Sequence, residues 1–364
     1  MTDRSSSRIP GRGGRREAPG RRRRAMTVAA WSTAALILVG GSGIGYVYTK
    51  LNGNIMGIDI NGRLGGDRPA DVDNGSEDIL ILGSDSRAGA NREYGRASGA
   101  RSDTAMIVHV YKGHRKASVV SIPRDTLIDR PACTDRKGRP VPAERFAMFN
   151  SAYEVGGPAC AVKTVEKMSG VRMDHYLEVD FTGFKKLIDE LGGVRITTTR
   201  PIDDSKSHLR LPAGTHTLDG EQALGLVRTR KSIGDGSDLG RIELQQAFVK
   251  ALITQVRSVD LYTSPKKLYD LADTATRAIT TDSELDSVNE LIGFADGLRH
   301  LSGGDVKMIT LPVRYDPADP NRVLPIPDGT RQVWTALRQD RPIPASATKD
   351  SAAGKDGTHI VKGG

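Results

Sequence analysis

The grouping of apolar residues predicts a series of β-strands and α-helices that begins near residue 78. Ile79–Leu82 is a continuous apolar run that ends at Gly83, which is typical of a strand buried on both faces. Two further β-rich segments, Thr104–Tyr111 and Ala117–Ile122, are joined by the turn-forming residues Lys112-Gly113-His114. The pattern therefore predicts three strands close together in sequence.

Later segments continue the alternation of strands with helices. Periodicity and capping residues predict helices over Thr164–Met168, Phe181–Leu191, Glu221–Leu226, Leu239–Val256, a segment opened by Ser264-Pro265, and a segment to about Leu301 behind the capping box Thr281-Asp282-Ser283-Glu284. Strands are predicted over His175–Asp180, Val194–Thr199 and Val306–Leu311. The alternation predicts an α/β fold with a central mixed β-sheet flanked by helices, an α-β-α sandwich.

An uncharged, largely apolar stretch precedes this domain. Residues 26–49 are long enough to cross a bilayer as one transmembrane helix. Arg21–Arg24 come before the stretch and only Lys50 follows directly, so the positive-inside rule places the N-terminus in the cytoplasm. A cleaved signal peptide is the alternative, but the apolar run is longer than usual for one and no small-residue cleavage site follows it. We expect a single-pass protein of the cell membrane whose main domain is extracytoplasmic.

Composition divides the chain into five regions. We expect a basic cytoplasmic tail over 1–25, the transmembrane helix over 26–49 and an extracytoplasmic linker rich in Gly, Asp and Asn over 50–76. The α/β domain occupies 77–338. The tail 339–364 is rich in Pro, Ala, Ser, Lys and Gly, which predicts disorder.

The net charge of +9 is concentrated in the N-terminal tail. Residues 1–24 hold nine Arg against one Asp and one Glu, a net of +7, which leaves +2 for the other 340 residues. The main domain is therefore almost neutral, and it lacks the basic balance of a nucleic-acid-binding domain. We expect no nucleic-acid partner.

The two cysteines, Cys133 and Cys160, lie 27 residues apart in the predicted extracytoplasmic domain. A pair of cysteines in an oxidising compartment favours one disulfide bond, and two buried free thiols are the alternative. Their spacing does not fit a metal site.

Charged residues that bracket the predicted strands are the first candidates for chemistry. Asp85 and Arg87 follow the buried strand, Arg101 and Asp103 open the next one, and Arg124 follows the third. The edge where strands of an α/β sheet end is where such folds bind ligands. Ordinary polar turns and a local ion pair are the alternative interpretation.

A second group of candidates lies near residues 228–245. Arg228 and Arg230 point the same way if their segment is extended, and Arg241 and Gln245 share one face of the predicted helix. Apolar neighbours make a simple basic surface stripe less convincing, and guanidinium groups suit bidentate contact with phosphate oxygens. With the two aspartates, these residues indicate a diphosphate site with a divalent cation such as Mg²⁺.

The segments ILILGSDSR, RSDT, VVSIPRD, FNSAYEVGG, VDFTGFKKLIDELGGV, LDGEQALGLVRTR and DLGRIELQQ, in this order, resemble the LytR-CpsA-Psr family, in the form found in high-GC Gram-positive bacteria. The resemblance covers roughly residues 76–260 and makes 77–338 the catalytic domain. It implies an extracytoplasmic phosphotransferase that moves a glycopolymer, such as teichoic or teichuronic acid or another polysaccharide, from a polyprenyl diphosphate carrier onto peptidoglycan. It also implies an α/β fold that encloses an apolar channel for the polyprenyl chain.

The resemblance also implies roles for single residues. Asp85 and Asp103 match metal-binding aspartates, for Mg²⁺ or Mn²⁺, and Asp103 is also a candidate proton acceptor. The residues that match positions around the diphosphate are Arg87, Arg101, Arg124, Arg228, Arg230, Arg241 and Gln245, of which Arg101 and Arg124 join Asp103 as catalytic candidates. The sequence departs from the family at Met148, where a Lys is usual, and at Leu244, where an Arg is frequent.

Two other functions are compatible with the same residues. A lipid-diphosphate-binding regulator of the envelope, or a transcriptional attenuator, needs the arginines without turnover. A hydrolase of the lipid-linked glycan uses water in place of the sugar acceptor. Product analysis separates these three functions.

Overall fold

A computed structural model of the chain describes residues 43–72, 74–84, 102–229, 238–259, 264–353 and 361–363. The chain forms two units, residues 1–50 and 51–364. Of the first unit, residues 43–50 are described, and they are helical. Within the described ranges, no helix combines the length and the apolar character that a membrane crossing requires. The predicted tail 1–25 and most of the predicted span 26–49 lie outside these ranges.

The second unit alternates strands and helices along most of its length. Its strands are β1 (Met56–Ile58), β2 (Glu77–Ser84), β3 (Ser102–Val110), β4 (Ala117–Ser121), β5 (Leu127–Arg130), β6 (Cys133–Thr134), β7 (Pro140–Val141), β8 (Glu144–Met148), β9 (His175–Asp180), β10 (Val194–Thr198), β11 (Ile202–Asp204), β12 (Leu209–Leu211), β13 (Gly214–Leu218), β14 (Ile279–Asp282), β15 (Val306–Thr310), β16 (Val313–Tyr315), β17 (Val323–Pro325) and β18 (Val361–Gly363). Its helices are α1 (Asn61–Leu64), α2 (Phe149–Ser169), α3 (Phe181–Glu190), α4 (Gly220–Arg228), α5 (Asp238–Ser258), α6 (Pro265–Ala278), α7 (Val288–Leu298) and α8 (Pro327–Arg338), with a 3-10 helix at Ala345–Thr348.

A seven-stranded mixed sheet forms the centre of this unit. Its strand order is β1-β14-β9-β2-β3-β4-β15. Strand β2 runs parallel to β9 and antiparallel to β3, and β4 runs antiparallel to β3 and parallel to β15. Strands β2, β4, β9 and β15 therefore end at the edge of the sheet where β3 begins. The predicted α/β fold with a central mixed sheet is confirmed.

Apolar side chains on both faces of the sheet hold the helices. On one face, Leu80 and Ile107 belong to a buried cluster that includes Val165 of α2 and Trp334 of α8. Alternate residues point to the other face, because side chains along a strand alternate in direction. There, Met106 packs in a cluster with Val249 of α5.

The expected linker over 50–76 is not a linker throughout, and that prediction is wrong. Strand β1 pairs with β14 of the main sheet, and Ile60 and Leu64 lie in the main apolar cluster with exposures of 3% and 1%. Arg68 donates to both carboxylate oxygens of Glu166 on α2. The polar composition of the segment predicted a linker, although a short segment needs only a few buried contacts to be fixed.

The expected disorder after residue 339 is also wrong for residues 339–353. Ile343 and Ala347 are buried in the main cluster, and Ser351 donates to and accepts from the backbone of Val313. Further on, β18 pairs antiparallel with β10. Pro and Ala suggested a disordered tail, but here they belong to a segment that covers the core.

Two predicted helices differ from the structure. Helix α2 has 21 residues, far more than the predicted Thr164–Met168. The prediction was too short because non-helical Gly157, followed by Pro158, interrupts the apolar periodicity of the helix. The predicted capping box over residues 281–284 does not cap a helix. Its first two residues end β14, where Asp282 accepts the backbone N–H groups of Tyr176 and Glu284. The capping box that forms joins Ser287 and Glu290 at the start of α7.

Candidate active site

The candidate site begins where β2 and β3 meet at the sheet edge. Gly83 pairs with Thr104 but Ser84 pairs with Ser102, so Asp103 is the extra residue of a β-bulge. Bulges often occur next to active sites, where they change the direction of the strand. The backbone of Asp103 therefore lies beside Ser84, the last residue of β2. The predicted ligand Asp85 follows Ser84 directly in the sequence. Asp85 itself and the side chain of Asp103 lie outside the described residues.

A buried hydrogen-bond network lies directly beneath this edge. The hydroxyls of Tyr153 and Tyr176 donate to the two carboxylate oxygens of Glu178, each at 2.6 Å. Burial and the nearby Glu178 carboxylate raise the pKa of both tyrosine hydroxyls, so they stay protonated and keep donating. Because the Tyr153 proton is used in this way, the Ser84 hydroxyl donates to the Tyr153 oxygen, at 3.2 Å. The network fixes the end of β2 against β9 and α2.

Arg124 lies at the same edge, in the turn after β4. Its carbonyl accepts the backbone N–H of Asn150 in the first turn of α2, and its guanidinium is 3.5 Å from the Asp125 carboxylate. The side chain of Asn150 is 9% exposed, and its amide oxygen has no hydrogen-bond partner among the described residues. A buried acceptor of this kind is suited to a ligand donor. Met148, in the place of the family's usual Lys, ends β8 just before α2.

Arg228 is the last residue of α4 and therefore does not lie in an extended segment as predicted. The capping box of Asp219 and Gln222 starts this helix, which continues through the apolar residues up to Arg228. The Arg228 guanidinium stacks over the ring of Phe181, 5.3 Å from its centroid. Phe181 directly follows Asp180, which pairs in register with Ser84. Arg230 lies outside the described residues.

Arg241 and Gln245 share one face of α5 as predicted, and both are buried, with exposures of 3% and 4%. The Gln245 amide nitrogen donates to the carbonyl of Val227, next to Arg228. Its oxygen has no hydrogen-bond partner within the described ranges. The adjacent Gln246 donates to Ser121, the last residue of β4, which lies three residues before Arg124.

These contacts connect the described members of the predicted site. Helix α5 joins the Arg228 end of α4 to the Arg124 end of β4, and Phe181 joins Arg228 to the end of β2. The structure thus brings Arg124, Arg228 and Gln245 to one edge of the sheet. Arg87 and Arg101 lie outside the described residues, so their predicted roles stay predictions.

A cavity of about 900 Å³ lies next to this edge. Glu178 and Asp180 of β9 and Tyr153 of α2 line it, and Arg136 and Lys186 line it from a hairpin and from α3. Sequence reasoning did not single out these residues. A carboxylate at 178 between the apolar residues Leu177 and Val179 was an available signal, whereas a surface arginine at 136 gave none.

The hairpin that carries Arg136 is fixed by the predicted disulfide bond, which is confirmed. Cys133 at the start of the hairpin is bonded to Cys160 of α2, with 5.5 Å between their Cα atoms. Gly157 has a φ of +65°, and a Cβ atom there would lie 3.2 Å from the Arg136 Nε. The kink in α2 therefore gives the hairpin room to approach, and the Arg136 guanidinium lies 5.3 Å from the centroid of the Tyr153 ring.

No cluster of three or more metal-ligating side chains occurs within the part of the chain that the structure describes. The side chains of the predicted metal ligands, Asp85 and Asp103, lie outside the described residues. Two carboxylates at neighbouring strand ends are a donor set of the kind that Mg²⁺ prefers. The metal remains a prediction.

Comparison with known proteins finds relatives that are named for roles in the cell wall. The cell wall biosynthesis protein LcpA of Corynebacterium glutamicum is 33% identical over 317 residues, which cover 79% of this chain and 59% of LcpA. The polyisoprenyl-teichoic acid–peptidoglycan teichoic acid transferase TagT of Bacillus subtilis is 31% identical over 283 residues, which cover 75% of this chain and 82% of TagT. The chain thus spans less than two thirds of LcpA but most of TagT.

A solved structure of TagT bound to LI-WTA has the same fold. Its TM-score is 0.56 at 27% sequence identity, and the match covers 76% of this chain and 96% of that one. The sequence model of the LytR_cpsA_psr family matches residues 47–338, which confirms the resemblance found from the motifs. This chain therefore belongs to the LytR_cpsA_psr family.

Proposed function

We propose that the chain is a membrane-anchored, extracytoplasmic phosphotransferase. It attaches a glycopolymer from a polyprenyl diphosphate carrier to peptidoglycan through a phosphodiester bond. The observation that carries this proposal is the convergence of Arg124, Arg228 and the α5 face of Arg241 on one sheet edge. Guanidinium groups gathered in this way suit the two phosphates of a lipid-linked donor. The similarity to a protein named as a teichoic acid transferase supports the acceptor class.

The arginines act on the charge of the reacting diphosphate. An acceptor hydroxyl oxygen bonds to the phosphorus that carries the glycan, and the bond from that phosphorus to the polyprenyl phosphate oxygen breaks. Arg124 and Arg228 neutralise the negative charge that develops on the leaving polyprenyl phosphate. Asp103, at the bulge of β3, takes the hydroxyl proton.

Asp85 and Asp103 are the proposed ligands of Mg²⁺ or Mn²⁺. When bound, the metal adds positive charge beside the phosphate oxygens. We expect activity to be lost on treatment with a chelator and to return with added Mg²⁺. Activity that survives complete removal of divalent cations would exclude this role.

Residues 26–49 are the proposed membrane anchor, and the second unit is proposed to lie outside the cytoplasm. A reporter joined after residue 60 should be active only if it is an extracytoplasmic reporter. A signal from a cytoplasmic reporter at that position would overturn the proposed topology and, with it, the access to peptidoglycan.

The activity is tested by supplying a polyprenyl diphosphate-glycan, Mg²⁺ and peptidoglycan oligomers to the full chain. We expect a phosphodiester-linked product. Arg124→Ala and Asp103→Ala should reduce its rate by about 10²–10³-fold, which is typical for loss of one group that stabilises transition-state charge. Arg210→Ala is a matched control, because the Arg210 side chain is 83% exposed and pairs only with Asp203 of β11 among the described residues. Donor binding without product favours the regulator, and release of free glycan phosphate favours the hydrolase.

A further inference from the structure

The cavity beside the sheet edge is lined by four cationic and three acidic side chains. Arg63, Arg136 and Lys186 line it, and none of these three side chains forms an ion pair with any residue that the structure describes. The acidic residues of the cavity do have partners, since the oxygens of Glu178 accept from two tyrosines and Asp273 pairs with Arg277. Asp180 accepts the backbone N–H of Gly183 as the N-cap of α3. The lining therefore favours an anionic ligand.

Arg136 is held in the cavity by its surroundings. The disulfide bond fixes the hairpin, and positive-φ Gly157 leaves the space that the Arg136 side chain occupies. The guanidinium lies over the Tyr153 ring, whose hydroxyl is tied to Glu178. A cation that is positioned in advance loses less entropy when a ligand binds.

The size and lining of the cavity restrict its occupant further. About 900 Å³ is within the range of sites that enclose a ligand of a few rings. Met56, Ile58 and Ile279 line the cavity beside its charged residues, and an apolar polyprenyl chain would have to desolvate those charges. A polar ligand with an acidic group satisfies both conditions.

The cavity also has a direct structural connection to the proposed diphosphate site. Tyr153 is hydrogen-bonded to Ser84, one residue before Asp85, and Asp180 precedes the Phe181 ring that carries Arg228. An acceptor bound in the cavity is therefore next to the residues that hold the donor phosphates.

We propose that this cavity is the acceptor site, that it takes a carboxylate-bearing peptidoglycan fragment, and that Arg136 binds the carboxylate and determines acceptor specificity. The proposal rests on the proposed phosphotransferase function. It assigns to Arg136 a binding role and no part in the chemical step.

The first test measures binding to the full chain without donor. The probes are a peptidoglycan disaccharide-tetrapeptide with free carboxylates and the same fragment with its carboxylates amidated. Arg136→Gln should weaken binding of the acidic fragment about tenfold, the effect of losing one charge-assisted hydrogen bond. It should leave binding of the amidated fragment unchanged. Equal affinity of wild-type protein for the two fragments would overturn the proposal.

Two further variants control for changes in folding and in general charge. Arg139→Gln removes a cation from the same hairpin, but the Arg139 side chain is 73% exposed and pairs with Asp135, so acceptor binding should stay unchanged. Lys186→Gln removes a cavity cation from a different element and should also weaken binding of the acidic fragment. If Arg136→Gln and Arg139→Gln behave alike, the assignment is wrong.

The second test is the transfer reaction, in which Arg136→Gln should raise KM for the acceptor and leave KM for the donor unchanged. A rise in the donor KM alone would contradict the proposal. If the fragment binds through Arg136 but no transfer occurs, the acceptor site stands and the proposed activity fails. If transfer by Arg136→Gln has the wild-type acceptor KM, the activity stands and the acceptor site fails.

Discussion

The ion pair of Arg68 and Glu166 gives a direct test of whether the segment before the main domain is part of its core. The Arg68 guanidinium contacts the Glu166 carboxylate at 2.6–3.1 Å, the Asn61 amide oxygen at 2.7 Å and the carbonyl of Met173 at 2.9 Å. The side chains of Arg68 and Glu166 are only 8% and 2% exposed. Arg68→Ala therefore leaves a carboxylate buried with the backbone N–H of Met173 as its one remaining donor among the described residues.

Breaking a buried ion pair on one side costs about 3–5 kcal/mol of unfolding free energy. For a unit of this size, that corresponds to a fall in Tm of about 5–8 °C. The exposed pair of Arg210 and Asp203 has a similar N···O distance of 3.1 Å, but its side chains are 83% and 62% exposed. Arg210→Ala should therefore cost no more than about 0.5 kcal/mol.

Urea unfolding followed by tryptophan fluorescence measures these differences. Trp334 is buried in the same cluster as Ile60 and Leu64, and a Trp31→Phe background leaves it as the only tryptophan. Adding Glu166→Gln to Arg68→Ala removes the stranded charge and should recover part of the loss. Equal losses for Arg68→Ala and Arg210→Ala would refute the claim that the segment is anchored in the core.

Three further predictions concern stability and the site. Removing the Cys133–Cys160 disulfide by a double Ser substitution opens a loop of 27 residues and should lower the unfolding free energy by about 3–4 kcal/mol, measured by urea unfolding with and without reductant. Burial, with the nearby Asp78 charge, raises the pKa of Asp174 to about 6, so its protonated form favours folding and stability falls as pH rises from about 4 to 6. Asp174→Asn should remove that fall and gain about 2–3 kcal/mol at pH 7 in pH-dependent thermal unfolding, and an unchanged pH profile would contradict the sign. Tyr153→Phe removes a donor to buried Glu178 and should cost about 1–3 kcal/mol in urea unfolding, whereas a neutral effect would show that Glu178 finds another donor.

The central fold was predictable because its strands carry strong local signals. The limits of β9 match the predicted His175–Asp180, and Ser264 caps α6 as its position before Pro265 indicated. These elements depend on the periodicity and capping of neighbouring residues, which a single sequence contains.

The segments that were mispredicted depend on contacts between distant residues. Arg68 meets Glu166 across 98 positions, and Asn54 meets Asp273 across 219. A polar segment gives no local sign of such partners. The same reason explains why Arg136 was missed, because its place at the cavity depends on the contact of its hairpin with α2, at the Cys133–Cys160 disulfide bond and at Gly157.

The candidate site was predictable in its residue types more than in its geometry. Charged residues at strand ends predicted that Arg124 and Asp103 share one edge of the sheet, and the structure has the backbone of both residues at that edge. The conformation of Arg228 was not predictable, because Arg228 lies in the last turn of α4, where helix and extended structure compete.

The C-terminal segment has a consequence for the order in which the protein can fold. His109, near the end of the interior strand β3, is fully buried and lies 3.1 Å from the Asp340 carboxylate, and Lys307 of β15 donates to the carbonyl of Ile343. The chain is synthesised from its N-terminus, so β3 is complete long before its partner at residue 340 exists. The final packing of the sheet must therefore wait until residue 340 has left the ribosome. A chain cut at residue 338, where the family match ends, would retain every strand of the main sheet. It would still lack Asp340 and Ile343, which contact β3 and β15.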